Sequence, residues 1–176
     1  MGQITPKASP INVEHLSQIL QKYLNSVRYP VSTEASGVIL MHRRPYAHLI
    51  TKALQNLSIL SSSSNVMNRF SCAKLLCQFL FTHSFDESDF EYINKVNLML
   101  TKLVMDSAQS ISILALSAYL KGASISRDTE ESRVVETVDR ITNHYSLMSK
   151  EYKTGVISSF KVLASNFSIQ GKNFFL

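Results

Sequence analysis

The chain has 176 residues, of which 45% are hydrophobic and 18% are charged, with a net charge of +5 and a pI near 9.2. A chain of this length buries about 70% of its unfolded surface, so the sequence predicts one globular domain and excludes a disordered chain. It has no apolar run of about eighteen residues and no secretory signal pattern. We therefore expect an intracellular protein of the cytoplasm or nucleus, neither secreted nor transmembrane.

The first residues predict an extended leader over 1–11, because Pro6 and Pro10 both disfavour a helix there. Gly2 follows the initiating methionine and Lys7 comes soon after, a pattern similar to an N-myristoylation signal. That signal has Ser or Thr where this chain has Pro6. An unmodified leader is the favoured interpretation, and Gly2 is a lipidation candidate.

Apolar spacing after the leader predicts an all-α fold, a single compact bundle of seven or eight helices forming one domain over 12–176. The first helix covers 13–27 and is expected to end at Pro30. Residues 31–44 favour a helix over a short strand. Pro45 then suits the first turn of the helix that follows.

The middle of the chain predicts a loop over 61–64, with Asn65 as the N-cap of the next helix. Carboxylates crowd the segment 86–91, where overlapping capping-box patterns predict a helix start. A break near Asp106 would divide the long segment that follows into two helices, and one continuous helix is the alternative. Residues 107–120 are apolar nearly all round, which predicts a buried central helix.

Gly122 is predicted to close that central helix, and two further helices are predicted after Asp128 and after Gly155. Cys72 and Cys77 lie on one predicted helix, separated by roughly 140° around its axis. They can therefore neither bridge each other nor share a metal ion, and both are expected to be reduced.

The motifs of catalysis and metal binding are missing from the sequence. Its five histidines lack the His-x3-His and His-Glu-x2-His spacings, and its five glycines stand too far apart to form a phosphate loop. No Gly-x-Ser-x-Gly nucleophile elbow occurs among the many serines. We therefore expect a protein that is not an enzyme, with no catalytic residues, metal, cofactor or small-molecule substrate.

Charge is distributed unevenly along the chain. Residues 1–85 carry eight Lys and Arg against two Asp and Glu, whereas residues 86–106 carry five acidic residues against two lysines. Helix-start chemistry accounts for most of the acidic segment. The basic excess has no such explanation, and it favours anionic partners such as nucleic acid, acidic lipid or acidic protein.

The densest basic feature is the pair Arg43 and Arg44 at a predicted helix entrance, followed by His48 and Lys52 with a tyrosine between them. Arg28 lies upstream. Two guanidinium groups beside free backbone N–H groups suit a phosphate or carboxylate. These five residues are the candidate anion-binding site, and a solvated helix-entry turn is the alternative.

A second basic set consists of Arg127, Arg133, Arg140 and Lys150, of which the three arginines could line one side of the helix predicted to open at Asp128. Acidic residues are interleaved with them, so local ion pairs are the default interpretation. The three arginines would extend the anion-binding surface only if they lay in one plane with Arg43 and Arg44.

The leading hypothesis is a basic, self-associating interaction protein that binds RNA or another polyanion through the surface centred on Arg43 and Arg44, with the segment 86–106 helping to pack subunits. One alternative is an acidic-membrane-binding protein that combines acylated Gly2 with the basic first half. Another is a protein adaptor with an apolar groove. A basic helical bundle beginning Met1-Gly2 is similar in general character to retroviral matrix proteins, which implies membrane binding, but no specific motif identifies a family.

Overall fold

A computed structural model of the chain describes residues 10–125 and isolated positions between 136 and 161. All regular structure in the segment 10–125 is helical, which confirms the all-α prediction for that part of the chain. The helices are α1 Pro10–Leu24, α2 Tyr29–Met41, α3 Ala47–Ser61, α4 Val66–Thr82, α5 Phe90–Val104 and α6 Gln109–Ile125, with a 3-10 turn at Glu87–Asp89.

The described residues contain six α-helices, where the sequence predicts seven or eight. The two helices predicted after Asp128 and Gly155 lie outside the continuously described segment, although isolated positions there, such as Glu136 and Lys150, are helical. Most of the predicted leader, residues 1–9, also lies outside it. The first helix begins at Pro10, within the predicted leader, because the fixed φ of proline fits a first helical turn.

Pro30 begins a helix and does not end one. Helix α1 ends at Leu24, and Tyr29 and Pro30 form the first turn of α2, where proline is tolerated. Val27, predicted within the first helix, therefore lies in the connection and is 94% exposed. The choice of a helix over a strand for residues 31–44 is confirmed by α2.

The chain divides into two compact units, residues 1–59 and residues 60–176. In the first unit α1 packs against α2, and Leu24, Ile39 and Leu40 are buried. The prediction of one domain over 12–176 stays a prediction.

In the second unit α6 packs against both α4 and α5. The break predicted near Asp106 is confirmed, because residues 105–108 separate α5 from α6. Helix α6 carries most of the apolar segment predicted to be buried, including Ile111, Leu116 and Leu120. It is therefore the helix through which the described part of this unit is held together.

Gly122 lies inside α6, which continues to Ile125, so the prediction that it closes the helix is wrong. A Cβ atom at Gly122 would overlap Oδ1 of Asn97 on α5 and would lie 3.3 Å from Cδ1 of Leu80 on α4. A side chain at this position would therefore force the buried Asn97 side chain to move.

Two helix starts are capped as their residue types require. The side chain of Asn65 accepts a hydrogen bond of 2.9 Å from the Met67 N–H, which confirms it as the N-cap of α4. Asp86 accepts a hydrogen bond from the Ser88 N–H at 3.0 Å, and Asp89 accepts one from the Asp86 N–H at 3.2 Å. These two carboxylates form a capping box, so this part of the acidic segment has a structural role.

No helix in the described part of the chain is long and apolar enough to cross a bilayer.

Candidate anion-binding surface

The net charge belongs mainly to the first compact unit. Residues 1–59 contain six Lys and Arg but only two acidic residues, Glu14 and Glu34, whereas residues 60–176 contain twelve basic and eleven acidic residues. Two carboxylates can neutralise at most two of six cations. The first unit therefore keeps a positive surplus relative to its own acidic groups.

Four of the predicted site residues lie close together in sequence and structure. Arg43 and Arg44 lie in the turn between α2 and α3, with Arg43 half-buried and Arg44 exposed, and His48 and Lys52 are exposed on the first turns of α3. Arg28 is exposed at the N-cap of α2. Since α2 has 13 residues and rises about 1.5 Å per residue, Arg28 and the Arg43 turn are about 20 Å apart along that helix.

The other predicted site residues cannot be placed. Gly2, Arg127, Arg133 and Arg140 all lie outside the described residues. Their proposed roles in lipidation and in an extended anion track stay predictions.

The turn that carries Arg43 and Arg44 is held by backbone hydrogen bonds. The His42 N–H donates to the Val38 carbonyl at 3.0 Å, and the Tyr46 N–H donates to the Arg43 carbonyl at 3.2 Å. Tyr46, the tyrosine between the basic residues, is only 7% exposed. Its ring therefore anchors the turn in the core and is not available to a ligand.

A row of polar side chains on α3 leads away from this turn. His48, Lys52 and Asn56 are spaced four residues apart, so neighbouring Cβ atoms lie about 5–6 Å from each other. At the end of the row, Asn56 Nδ2 donates a hydrogen bond of 2.8 Å to the carbonyl of Leu24, at the C-terminus of α1. Helix α3 thereby connects the Arg43 turn to the α1–α2 connection, where Arg28 lies.

Sequence reasoning missed the exposed side chains at that connection. Tyr23 is 47% exposed and Tyr29 is 49% exposed, and Lys22 beside Tyr23 is also exposed. Tyr23 belongs to the apolar pattern that predicts a buried face, but Leu20 and Leu24 are the residues that α1 buries. A lysine or arginine stands next to each of these tyrosines in sequence, but the same is true of Phe70 beside Arg69, so exposure in the structure is what sets Tyr23 and Tyr29 apart.

One arginine from the basic half of the sequence has a structural role. Arg69 on α4 makes a two-point contact with Asp106, through Nε to Oδ2 at 2.6 Å and Nη2 to Oδ1 at 3.1 Å, and Arg69 Nη1 also donates to the Ser63 carbonyl. The hydrogen bond from Arg69 lowers the pKa of the Asp106 carboxyl below its ordinary 3.8. Asp106 also closes the turn before α6 by accepting a hydrogen bond from the Ala108 N–H at 2.9 Å.

The thiols and the metal-binding residue types form no reactive centre among the described residues. Cys72 and Cys77 form no disulfide among the described residues, and burial raises the pKa of Cys72 to about 12. Burial also raises the pKa of Cys77, which is half-buried. Within the described segment, no three His, Cys, Asp or Glu residues are grouped so that they could hold a metal ion.

Comparison with protein-family models, curated proteins and solved structures gives no match to this chain. Its charge and its geometry are therefore the features that point to a function.

Proposed function

We propose that this protein is a non-enzymatic binding protein that contacts RNA or another polyanion through the surface centred on Arg43 and Arg44. The observation that carries the proposal is the charge of residues 1–59, with six basic residues against two acidic ones. Arg44 and Lys52 present part of this charge at exposed positions of one turn and the helix that follows it, and His48 is exposed between them. Binding of this kind requires no pocket, because a charged surface attracts the phosphate backbone directly.

The test compares charge reversal in the two units. Arg44→Glu combined with Lys52→Glu is expected to lower the affinity for an oligouridylate of about 20 nucleotides at least tenfold, since two phosphate contacts become repulsive. The matched control is Lys74→Glu combined with Lys102→Glu, which changes the net charge equally at exposed lysines of the second unit. Fluorescence anisotropy between about 50 and 200 mM salt measures both affinity and salt dependence.

A direct comparison of slopes makes this test sharper. Losing two phosphate contacts should reduce the slope of log affinity against log salt by about 1.4, because each contact contributes about 0.7 for a single strand. If Arg44→Glu with Lys52→Glu and Lys74→Glu with Lys102→Glu lost the same affinity, binding would depend on the net charge of the protein and not on the surface centred on Arg43 and Arg44. Affinity that does not change with salt would favour the protein-adaptor alternative, in which an apolar groove binds the partner.

Self-association is part of the same proposal and is supported by α5. Leu98 is 53% exposed and Met105, just after the helix, is 59% exposed, and seven residues separate them, so they lie on similar sides of the helix. We expect Leu98→Glu combined with Met105→Glu to lower the mass measured by light scattering. An unchanged mass would remove this face from the proposal.

A further inference from the structure

The α1–α2 connection is a defined turn that carries exposed basic and aromatic side chains. Its backbone is fixed by hydrogen bonds from the Asn25 N–H to the Gln21 carbonyl and from the Ser26 N–H to the Tyr23 carbonyl. The Arg28 N–H donates to Ser26 Oγ at 3.2 Å. Tyr23 before the turn and Tyr29 after it are therefore held at its two edges by ordered backbone.

Each tyrosine has a cationic residue next to it. Lys22 precedes Tyr23, Arg28 precedes Tyr29, and all four side chains are exposed. Val27, between the two tyrosines in sequence, is 94% exposed. The turn and its two flanking positions therefore expose two aromatic rings and two cations within eight residues of sequence, 22–29. These are the two kinds of group that a nucleotide engages, because a base stacks on a ring and a phosphate pairs with a positive charge.

The row of polar side chains on α3, His48, Lys52 and Asn56, links this turn to the turn that carries Arg43; we call it the α3 row. From Ala47 to Asn56 the helix rises about 13 Å, and Asn56 contacts the last carbonyl of α1, immediately after Tyr23. His48 and Lys52 lie between these two ends. Basic groups therefore follow one another from Arg44 along α3 to the turn with the two tyrosines.

We propose that the ligand of this surface is single-stranded nucleic acid, with phosphates along the α3 row and bases stacked on Tyr23 and Tyr29. The inference rests on the proposed polyanion function and narrows it. In a duplex the faces of the bases are covered by their neighbours, so two exposed rings offer a double strand little contact. A single strand presents unstacked bases to aromatic side chains without requiring a particular sequence.

The experiment separates stacking from charge. Tyr23→Ala combined with Tyr29→Ala is measured by anisotropy against oligouridylate, duplex RNA of the same length, and heparin. We expect a loss of oligouridylate affinity of at least about fivefold for each tyrosine, with heparin affinity unchanged, because heparin has no bases to stack. Tyr23→Phe combined with Tyr29→Phe should keep the affinity for oligouridylate, since phenylalanine also stacks.

Two controls guard against a general effect of removing aromatic residues. Phe81→Ala removes an aromatic side chain of similar exposure from α4 in the second unit, and it should leave every affinity unchanged. Tyr23→Leu combined with Tyr29→Leu keeps apolar bulk without an aromatic face. If the alanine variant melts early, the leucine variant makes the same test, and it should lose affinity for oligouridylate as well.

The outcomes distinguish this inference from the proposed function. If the tyrosine variants bind oligouridylate like the unmodified protein while Arg44→Glu with Lys52→Glu weakens all three ligands, stacking is overturned and polyanion binding stands. If none of the ligands binds, or the charge-reversed protein binds like its control, both are overturned. Binding to vesicles of phosphatidylserine and phosphatidylcholine without binding to oligouridylate also overturns both and favours the membrane alternative.

Discussion

The two units of this chain use their charged residues differently. In the described part of the second unit, Arg69 is paired with Asp106, Lys95 with Glu91, and two acidic residues cap a helix start. In residues 1–59 only two carboxylates accompany six basic side chains. The contrast shows that charge on its own says little about binding. The two carboxylates of residues 1–59 can offset only two of the six positive charges there, whereas the described ion pairs of the second unit hold arginine and lysine against carboxylates of the same unit.

The largest expected effect concerns the interior of the second unit. Because burial raises the pKa of Cys72 from 9.0 to about 12, the fraction of its thiolate falls about a thousandfold. In a Cys77→Ser variant, we expect labelling of Cys72 by iodoacetamide at pH 8 to be much slower than that of free cysteine, because little of the thiol is ionised and its sulfur is buried. Mass spectrometry over time measures the rate, and labelling in urea is the control. Rapid labelling of the folded protein would mean that this interior opens readily.

The next largest effect is expected at the contact of α5 with α6. Gly122→Ala should lower the free energy of unfolding by about 2 kcal/mol, because its Cβ would overlap Asn97 Oδ1 in a packed interface. Thermal unfolding should show a fall of about 4–8 °C for a chain of this size. Gly37→Ala is the control, since the same change inside the half-buried part of α2 gains helix propensity.

Asn97→Ala should restore stability to the Gly122→Ala protein, because it removes the overlapping group. The amide of Asn97 is buried and has no hydrogen-bond partner among the described residues, so its loss costs little. A double-mutant cycle with no coupling between positions 97 and 122 would contradict the proposed overlap.

A smaller effect is expected from Asp106. Asp106→Ala should cost about 1–2 kcal/mol, because it removes both the hydrogen bond from the Ala108 N–H and the ion pair with Arg69. Asp106→Asn keeps a capping oxygen but loses the ion pair with Arg69. Since folding lowers the pKa of Asp106 below 3.8, the contribution of the charge is complete above about pH 4 and is lost as the pH falls through the lower value in the folded state.

Urea unfolding of the unmodified and Asp106→Asn proteins at a series of pH values tests whether the stabilisation by the Asp106 charge is lost in acid. The difference between them should be constant from about pH 7 to pH 4 and should shrink in stronger acid. A difference in free energy of unfolding that grows as the pH falls would contradict the lowered pKa of Asp106. Neither variant should change the affinity for oligouridylate. If either variant lost as much affinity as Arg44→Glu with Lys52→Glu, the charged residues of the two units would not differ in their role in binding.

The smallest effect is expected at the surface pair of Glu91 and Lys95. The two residues lie one helical turn apart on α5, and Lys95 Nζ is 2.6 Å from Glu91 Oε1. The side chain of Glu91 is 74% exposed and that of Lys95 is 43% exposed. Lys95→Gln should therefore cost no more than about 0.5 kcal/mol, and less at high salt. Lys74→Gln, at an exposed lysine of α4, is the comparison. A cost above about 1 kcal/mol would show that exposed charges of this unit also stabilise the fold.

Much of the helical organisation follows from local sequence, including the Asn65 cap, the break near Asp106 and the helix over most of 31–44. Errors occurred where a residue has two local roles. Pro30 either ends a helix or starts one, and the choice depends on where α1 stops packing. Gly122 is a plausible helix terminator, but the neighbouring Asn97 explains its presence inside α6. Of the candidate site, the four basic residues from Arg43 to Lys52 were predictable because they are close in sequence.

The sequence by itself determined that helices form and that positive charge is concentrated before residue 86, because helix periodicity, caps and charge are local properties. Only the tertiary structure decided which residues far apart in the chain come into contact. Asn56 and Leu24 are 32 residues apart in the chain, and Arg69 and Asp106 are 37 apart. No local pattern specifies such contacts. They arise when helices pack, and packing brings α3 to the α1–α2 connection while it pairs Arg69 within the fold.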